Sequence, residues 1–261
     1  MRTPKTDLSL SVMFNLGNLW MPTKAVIFDM FDTLMPIEGD HAFYEPALRM
    51  LYEVLVRNGA NVPYRKFRQA YAEARDELFS KADENLEEPH FNLRVAGALR
   101  RLGYNYDPFG REVSEATRAF CEEFMKYVRL DEDAVDVLKK LHGKFKLGIV
   151  SNFAIPECVY KLLERHSMSE FFDAVIVSGA VNKRKPSPEI FKRALEILNV
   201  KPEEAVFVGD TLDADIKGAK QAGMKAVFLE RRKQEAYDAY PDGKIESLTQ
   251  LLRVLEDGLQ T

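Results

Sequence analysis

AVIFDMFDTL, the stretch at residues 25–34, decides how this chain folds. Four apolar residues run directly into the carboxylate of Asp29, and a turn is expected to follow. A short apolar run bounded in this way predicts a buried strand of a parallel sheet. Because the ligands of such sheets bind beyond the carboxyl ends of the strands, Asp29 is our candidate nucleophile.

The composition is that of a soluble globular protein. Apolar residues make up 46% of the 261 residues, charged residues make up 30%, and the formal net charge is −4. No basic block suggests a nucleic-acid partner, and no apolar run approaches the roughly 20 residues that a membrane span needs. Cys121 and Cys158 lie far apart without a CxxC partner, so we expect neither a disulfide framework nor a zinc site. Residues 1–20 make a poor signal peptide, and we expect a cytoplasmic monomer or homodimer.

Two patterns of hydrophobicity divide the chain. Residues 37–128 place apolar side chains three and four positions apart, which predicts helices only. After residue 129 helical segments alternate with short apolar runs, and we predict strands at 146–150, 174–177, 205–208 and 226–229. This alternation is typical of a doubly wound α/β fold, a parallel sheet with helices on both faces. We therefore predict an extension at residues 1–20, a core of 21–36 and 129–261, and a helical cap of 37–128.

Polar residues follow the predicted strands, where a site of such a sheet would lie. They form four groups: Asp29 with Thr33, Ser151 with Asn152, Lys185 before Pro186, and Gly209-Asp210 with Asp215. Each group alone has an ordinary explanation as a turn, a helix cap or a surface charge. We interpret the acidic stretch at 83–88 and the basic residues at 231–233 in that ordinary way, as solvated loops.

Taken together, the four groups resemble the four motifs of the haloacid dehalogenase superfamily in order and spacing. The resemblance covers nearly all of residues 24–229. It implies a Rossmann-like core with a helical cap inserted after the first motif. It also implies an enzyme whose aspartate, here Asp29, attacks the substrate covalently.

The resemblance implies a magnesium site formed by acidic side chains. Asp29, Asp210 and the backbone carbonyl of Phe31 would be the protein ligands, and such hard oxygen atoms are what Mg²⁺ prefers. Asp215 would hold a metal-bound water or orient Lys185. A cation is needed because the carboxylates would otherwise repel one another.

The remaining motif residues would bind the substrate, which we expect to be a small phosphorylated molecule. Ser151 and the backbone N–H of Asn152 would donate to phosphoryl oxygens, and Thr33 belongs to the same set. Lys185 would neutralise both Asp29 and the transferring group. The predicted reaction is Mg²⁺-dependent hydrolysis of a phosphate monoester through an aspartyl-phosphate on Asp29.

One residue departs from the phosphatase pattern. Phosphatases of this superfamily carry an aspartate where this chain has Phe31, and that aspartate protonates the leaving group. General acid and base help of this kind contributes about 10²- to 10⁴-fold in rate. Asp32 is adjacent, but in an extended chain its side chain points away from the face that Asp29 uses, so it could take over only if the turn after the strand redirects it.

Two alternatives to a phosphatase remain open at this point. An aromatic residue at position 31 is similar to the 2-haloacid dehalogenases, in which the aspartate attacks carbon and no metal is needed. Asp210 and Asp215 argue against a dehalogenase, because the dehalogenases have Ser and Asn near the position of these two aspartates. A binding module without turnover is the other alternative, which the retained Asp29, Lys185 and Asp210 speak against.

Overall fold

The computed structural model describes residues 22–39, 42–232 and 240–256. The predicted extension at 1–20 therefore lies outside the described residues, as does residue 233. Six parallel strands form one sheet in the order β3-β2-β1-β4-β5-β6. The strands are β1 (Ala25–Phe28), β2 (Lys146–Ser151), β3 (Ala174–Val177), β4 (Ala205–Gly209), β5 (Lys225–Leu229) and β6 (Gly243–Ile245). The predicted doubly wound α/β fold is confirmed.

Strand β1 lies inside the sheet, between β2 and β4. Its first residue, Ala25, is paired with Lys146 on one side and with Ala205 on the other. All four residues of β1 are fully buried, as expected for an uninterrupted apolar run in a parallel sheet. Asp29 follows this strand directly, so it lies near the middle of the sheet edge.

Helices cover both faces of the sheet. Val26 and Phe28 of β1 belong to one core cluster, and Ala25 and Ile27 belong to the other, because side chains alternate along a strand. The first cluster includes residues of α5 (Ala134–Leu141), α6 (Pro156–Arg165) and α10 (Leu248–Glu256). The second includes residues of α8 (Pro188–Leu198) and α9 (Lys217–Gln221), and the short α7 (Ser178–Val181) follows β3. None of the helices in the described ranges has both the length and the apolar character that a membrane crossing requires.

Four helices stand between β1 and α5, where the sequence predicts helices only. They are α1 (Tyr44–Arg57), α2 (Tyr64–Ala82), α3 (Phe91–Arg101) and α4 (Arg111–Phe124). Leu48, Leu51 and Leu55 lie on the buried side of α1 at the predicted spacing. These helices fit a cap inserted after the first strand.

The two chain segments that connect these helices to the sheet run side by side. Ile37 and Val128 form an antiparallel bridge. The N–H of Glu38 donates to the carbonyl of Tyr127 at 2.8 Å, and the N–H of Arg129 donates to that of Pro36 at 3.0 Å. The chain thus leaves the sheet and returns to it at the same place. We propose this bridge as the boundary between cap (37–128) and core (21–36 and 129–261).

Local expectations differ from the structure in three places. Residues 83–88, predicted to be a solvated loop, contain a 3₁₀ turn at Asp83–Asn85 and a Glu88 that is only 8% exposed. Strand β6 was not predicted, because three residues that include glycine and lysine lack a strand pattern. The helical segment predicted between the strands at 205–208 and 226–229 begins as a π turn at Leu212–Ile216 and continues as α9.

Candidate active site

The sheet order brings the predicted site residues together. Strands β1, β2 and β4 are neighbours, and in a parallel sheet their carboxyl ends meet at one edge. Asp29, Ser151 and Asp210 lie at the ends of these three strands. Each of the three residues is buried. These residues are far apart in the sequence, but all three lie at the same edge of the sheet.

Lys185 lies at the centre of this group. Its ammonium forms a short ion pair with Oδ1 of Asp29 and a second, at 2.7 Å, with Oδ1 of Asp215. Burial alone would lower the pKa of Lys185, but the charges of Asp215 and Asp29 outweigh it, so this pKa is raised. The lysine therefore keeps its proton and its positive charge at neutral pH.

Three carboxylates surround a common point beside the lysine. Oxygen atoms of Asp29, Asp210 and Asp215 lie within 4.8 Å of one another. Burial raises the pKa of Asp29 to about 7, against the opposing charge of Lys185, and Asp215 adds to the rise. Burial also raises the pKa of Asp210 to about 8, with further rises from Asp29 and Asp215. When all three carboxylates are ionised they outnumber the one ammonium, so the cluster then has an excess of negative charge.

Thr33 links two of these carboxylates. Its hydroxyl lies 3.4 Å from Oδ2 of Asp29 and 3.4 Å from Oδ1 of Asp210, and the residue is fully buried. The predicted substrate contact by Thr33 stays untested. The contacts support a different proposal, in which its hydroxyl holds the two acidic side chains at their separation.

Gly209 allows Asp215 to reach the cluster. A Cβ atom at residue 209 would lie 2.5 Å from Cγ of Asp215, which is too close for any other residue type. Oδ2 of Asp215 accepts a 3.0 Å hydrogen bond from the N–H of Thr211. Both oxygens of Asp215 thus have protein partners, so its geometry favours orienting Lys185.

The two residues after β2 differ in their contacts. The hydroxyl of Ser151 is buried and has no hydrogen-bond partner among the described residues. The side chain of Asn152 is fully engaged, because its Oδ1 accepts from the N–H of Lys185 at 2.7 Å and its Nδ2 donates to the carbonyl of Lys185 at 3.0 Å. Asn152 therefore positions the lysine backbone, a role that the sequence did not suggest.

Phe31 belongs to an aromatic cluster between cap and core. Its ring lies 5.5 Å from that of Phe124 in α4 and 4.8 Å from that of Phe153 after β2, measured between centroids. Its carbonyl is not used by any hydrogen bond within the described residues. Asp32 has a positive φ of 58°, and its carboxylate accepts from the N–H of Ile37 at 2.9 Å and from Arg232 at 2.6 Å. The backbone at Asp32 is therefore a left-handed turn and not the extended chain that we expected, and its carboxylate is held by Ile37 and Arg232.

Arg231 supports the loop that follows β1, although we predicted a solvated loop at this position. Its guanidinium donates to the carbonyls of Asp32 at 3.2 Å and of Thr33 at 2.8 Å. It also forms a 2.5 Å ion pair with Asp131, which is nearly buried. This prediction was wrong for Arg231, because a basic run after a strand resembles a surface loop in sequence.

The comparisons with known proteins identify the family of the chain. A family model described as haloacid dehalogenase-like hydrolase matches residues 23–223. The chain belongs to the haloacid dehalogenase-like hydrolases. Among similar members of this family is a glyceraldehyde 3-phosphate phosphatase of Methanopyrus kandleri, 33% identical over 90% of this chain and 97% of the relative. Another, of Pyrococcus furiosus, is 34% identical over 89% of this chain and 93% of the relative.

Solved structures of haloacid dehalogenase-like hydrolases share the whole fold. The 2-haloacid dehalogenase of Pseudomonas syringae pv. Tomato superposes with a TM-score of 0.69 and 27% identity. The alignment covers 90% of this chain and 99% of the dehalogenase. Membership in this hydrolase family is therefore clear, whereas the bond that is cleaved depends on the residues of the site.

Proposed function

We propose that this hydrolase cleaves a small phosphate monoester with the help of Mg²⁺. The observation that carries the proposal is the pairing of Asp29 with Lys185 beside the two further carboxylates of Asp210 and Asp215. Two curated relatives that are identical at about a third of the aligned residues are glyceraldehyde 3-phosphate phosphatases. Glyceraldehyde 3-phosphate is therefore the first substrate to test.

The residues of the site fit a magnesium ion. Three carboxylates with oxygens within 4.8 Å of one another supply hard ligands, and one lysine leaves the cluster negative. Asp29, Asp210 and the backbone carbonyl of Phe31 would hold the ion. Bound there, Mg²⁺ would shield the phosphoryl group from the charge of the attacking carboxylate.

The chain's own residues supply the other parts of the reaction. Asp29 attacks phosphorus, the ester bond to the alcohol breaks, and an aspartyl-phosphate forms that water later hydrolyses. Lys185, held by Asp215, neutralises negative charge that develops during the attack. The hydroxyl of Ser151 is buried without a hydrogen-bond partner in the part of the chain that the structure describes, and an oxygen of the phosphoryl group would satisfy it.

Phe31 determines which phosphate esters react fast. It cannot protonate a leaving alkoxide, and the neighbouring Asp32 is held by Ile37 and Arg232. We therefore expect esters with a leaving group of low pKa to react faster than simple alkyl phosphates. An aryl phosphate such as p-nitrophenyl phosphate is a suitable probe.

A haloacid dehalogenase is the second candidate. Two observations favour it: the aromatic residue at position 31, and the TM-score of 0.69 to a 2-haloacid dehalogenase. In that reaction Asp29 would attack carbon, and the halide would leave without needing a proton. The buried carboxylate of Asp210 at the end of β4 favours the phosphatase, because it would only repel Asp29 if no cation were bound.

One experiment separates the two candidates. Turnover of p-nitrophenyl phosphate, glyceraldehyde 3-phosphate and 2-chloropropionate is measured with Mg²⁺ and with EDTA. We expect release of phosphate that depends on Mg²⁺ and no release of chloride. Chloride release that persists in EDTA would assign the chain to the dehalogenases instead.

A further inference from the structure

A segment of the cap lies directly on the residues that precede the lysine of the site. We call residues 83–88, between α2 and α3, the 83–88 segment. The backbone N–H of Arg184 donates to the carbonyl of Leu86 at 2.9 Å, and its Nη1 donates to that of Glu87 at 3.0 Å. Nζ of Lys183 donates to the carbonyl of Asn85 at 3.0 Å. Three consecutive carbonyls of the cap are thus bound by two consecutive residues of the core.

Charge and ring contacts strengthen the same interface. The guanidinium of Arg184 forms a short ion pair with Asp83 and lies 5.5 Å from the ring centroid of Phe79. On the cap side, Arg94 donates to Glu88 at 3.0 Å. Burial raises the pKa of Glu88 even though the charges of Arg94 and Arg184 oppose the rise, which indicates that little water reaches this carboxylate. The 83–88 segment therefore contacts the core through backbone hydrogen bonds, an ion pair and a buried carboxylate.

The next residue, Lys185, is held from the opposite side. Its backbone N–H and carbonyl both bind the side chain of Asn152 in the core, and its ammonium binds Asp29 and Asp215. One peptide unit therefore separates a residue bound by the cap from the residue that touches the nucleophile. A shift of this peptide moves the ammonium, and a displacement of 1 Å in a reacting group can cost about 10²-fold in rate.

We propose that Arg184 is a positioning residue that couples docking of the cap to the placement of Lys185. When the 83–88 segment binds Arg184, the lysine is aligned with Asp29. When it leaves, the peptide between residues 184 and 185 loses its support on the cap side. The inference rests on the proposed phosphatase activity for its kinetic test, and it is independent of that activity for its spectroscopic test.

The kinetic test uses Asp83→Ala, Arg184→Ala and the double variant. Asp83→Ala removes the ion pair and leaves every core residue intact. We expect kcat for p-nitrophenyl phosphate to fall by about threefold in Asp83→Ala, because this carboxylate is exposed, and by about tenfold in Arg184→Ala, which also loses the bond to Glu87, with KM nearly unchanged in both. The double variant should be no slower than Arg184→Ala, because Asp83 acts through Arg184. Arg184→Lys, which keeps the charge but not the fork of donors, should lose less.

A matched control removes an arginine that has no such role. Arg65 is an exposed residue of the same cap helix that carries Phe79. Arg65→Ala should leave kcat unchanged. Equal losses in Arg65→Ala and Asp83→Ala, or losses that add in the double variant, would overturn the proposal.

The spectroscopic test needs no substrate. Amide exchange at residue 184 reports docking, since its N–H is bound by Leu86, and the Nζ resonance of Lys185 reports its ion pairs. In Asp83→Ala we expect about threefold faster exchange of that amide and a shift of the Lys185 resonance. Faster exchange with an unmoved Lys185 resonance would disprove the coupling. A wild-type protein without phosphate ester hydrolysis would disprove only the proposed function, because these two signals still decide the coupling.

Discussion

The guanidinium of Arg231 donates a 2.8 Å hydrogen bond to the main-chain carbonyl of Thr33. The hydroxyl of the same threonine lies between Asp29 and Asp210. The arginine after β5 thus supports, through one residue, two of the three carboxylates of the site. It also binds Asp131 on the segment that returns from the cap.

We therefore expect Arg231→Ala to weaken both stability and ion binding. The change leaves the nearly buried Asp131 and two main-chain carbonyls without their partner, so the free energy of unfolding should fall by about 2–4 kcal/mol. Mg²⁺ affinity, measured by calorimetry, should fall with it. Arg232→Ala is the control, because its pair with Asp32 is exposed and should matter by less than about 1 kcal/mol. Equal effects in the two variants would contradict this role of Arg231.

Replacement of the nucleophile should abolish turnover without unfolding the protein. In Asp29→Asn the amide cannot form the acyl phosphate, and we expect kcat to fall by more than about 10⁴-fold. The side-chain volume is kept and one of three mutually repelling carboxylates is removed. Unfolding by urea should therefore show no loss of stability in EDTA. Wild-type rates in this variant would remove Asp29 from the mechanism.

Phe31→Asp should restore a general acid. On alkyl phosphates we expect it to be faster than Phe31→Asn by about 10²- to 10⁴-fold, whereas on p-nitrophenyl phosphate the two should be similar. Phe31→Asn is the matched control, because both variants lose the contacts with Phe124 and Phe153 and both should be less stable than wild type. Equal rates on alkyl phosphates would mean that another group already acts as the acid.

The stability of the metal-free protein should fall as pH rises from about 4 to about 8. The folded-state pKa values of Asp29 and Asp210 are raised to about 7 and about 8, whereas an unfolded aspartate titrates near 4. Between these values the folded protein binds more protons than the unfolded chain, so the free energy of unfolding decreases with pH. Urea denaturation in EDTA across this range measures the slope.

Two further measurements check the origin of that slope. Mg²⁺ should reduce it, because the ion replaces the protons and binds more tightly once the carboxylates are ionised. Asp210→Asn should reduce it as well, because one of the two titrating groups is gone. A stability that is flat with pH in EDTA would contradict the raised pKa values.

The sequence was most informative where candidate site residues directly follow a predicted strand. Runs such as residues 25–28 and 205–208 are apolar throughout, so their position and burial could be predicted. The residues after them could be placed at one sheet edge, because alternation of strands and helices implies a parallel sheet. The proposed nucleophile, the lysine and the acidic cluster all follow from this step.

The sequence was least informative about contacts between distant polar residues. We predicted a solvated loop at 83–88 because the partner of this segment, Arg184, comes about a hundred residues later in the sequence. Arg231 reads as a surface charge because its partner Thr33 lies 198 positions before it. Neither pairing leaves a local pattern, since the partner of each group belongs to a distant part of the sequence.

The bridge between Ile37 and Val128 has an evolutionary consequence. Because the polypeptide departs from the sheet and rejoins it through paired neighbours, the length and shape of the inserted helices are independent of strand order. A lineage can remodel the parts of this module that do not contact Lys183 and Arg184 while the nucleophile and its lysine stay in place. The substrate specificity of the protein can thus change while the residues at the sheet edge are retained.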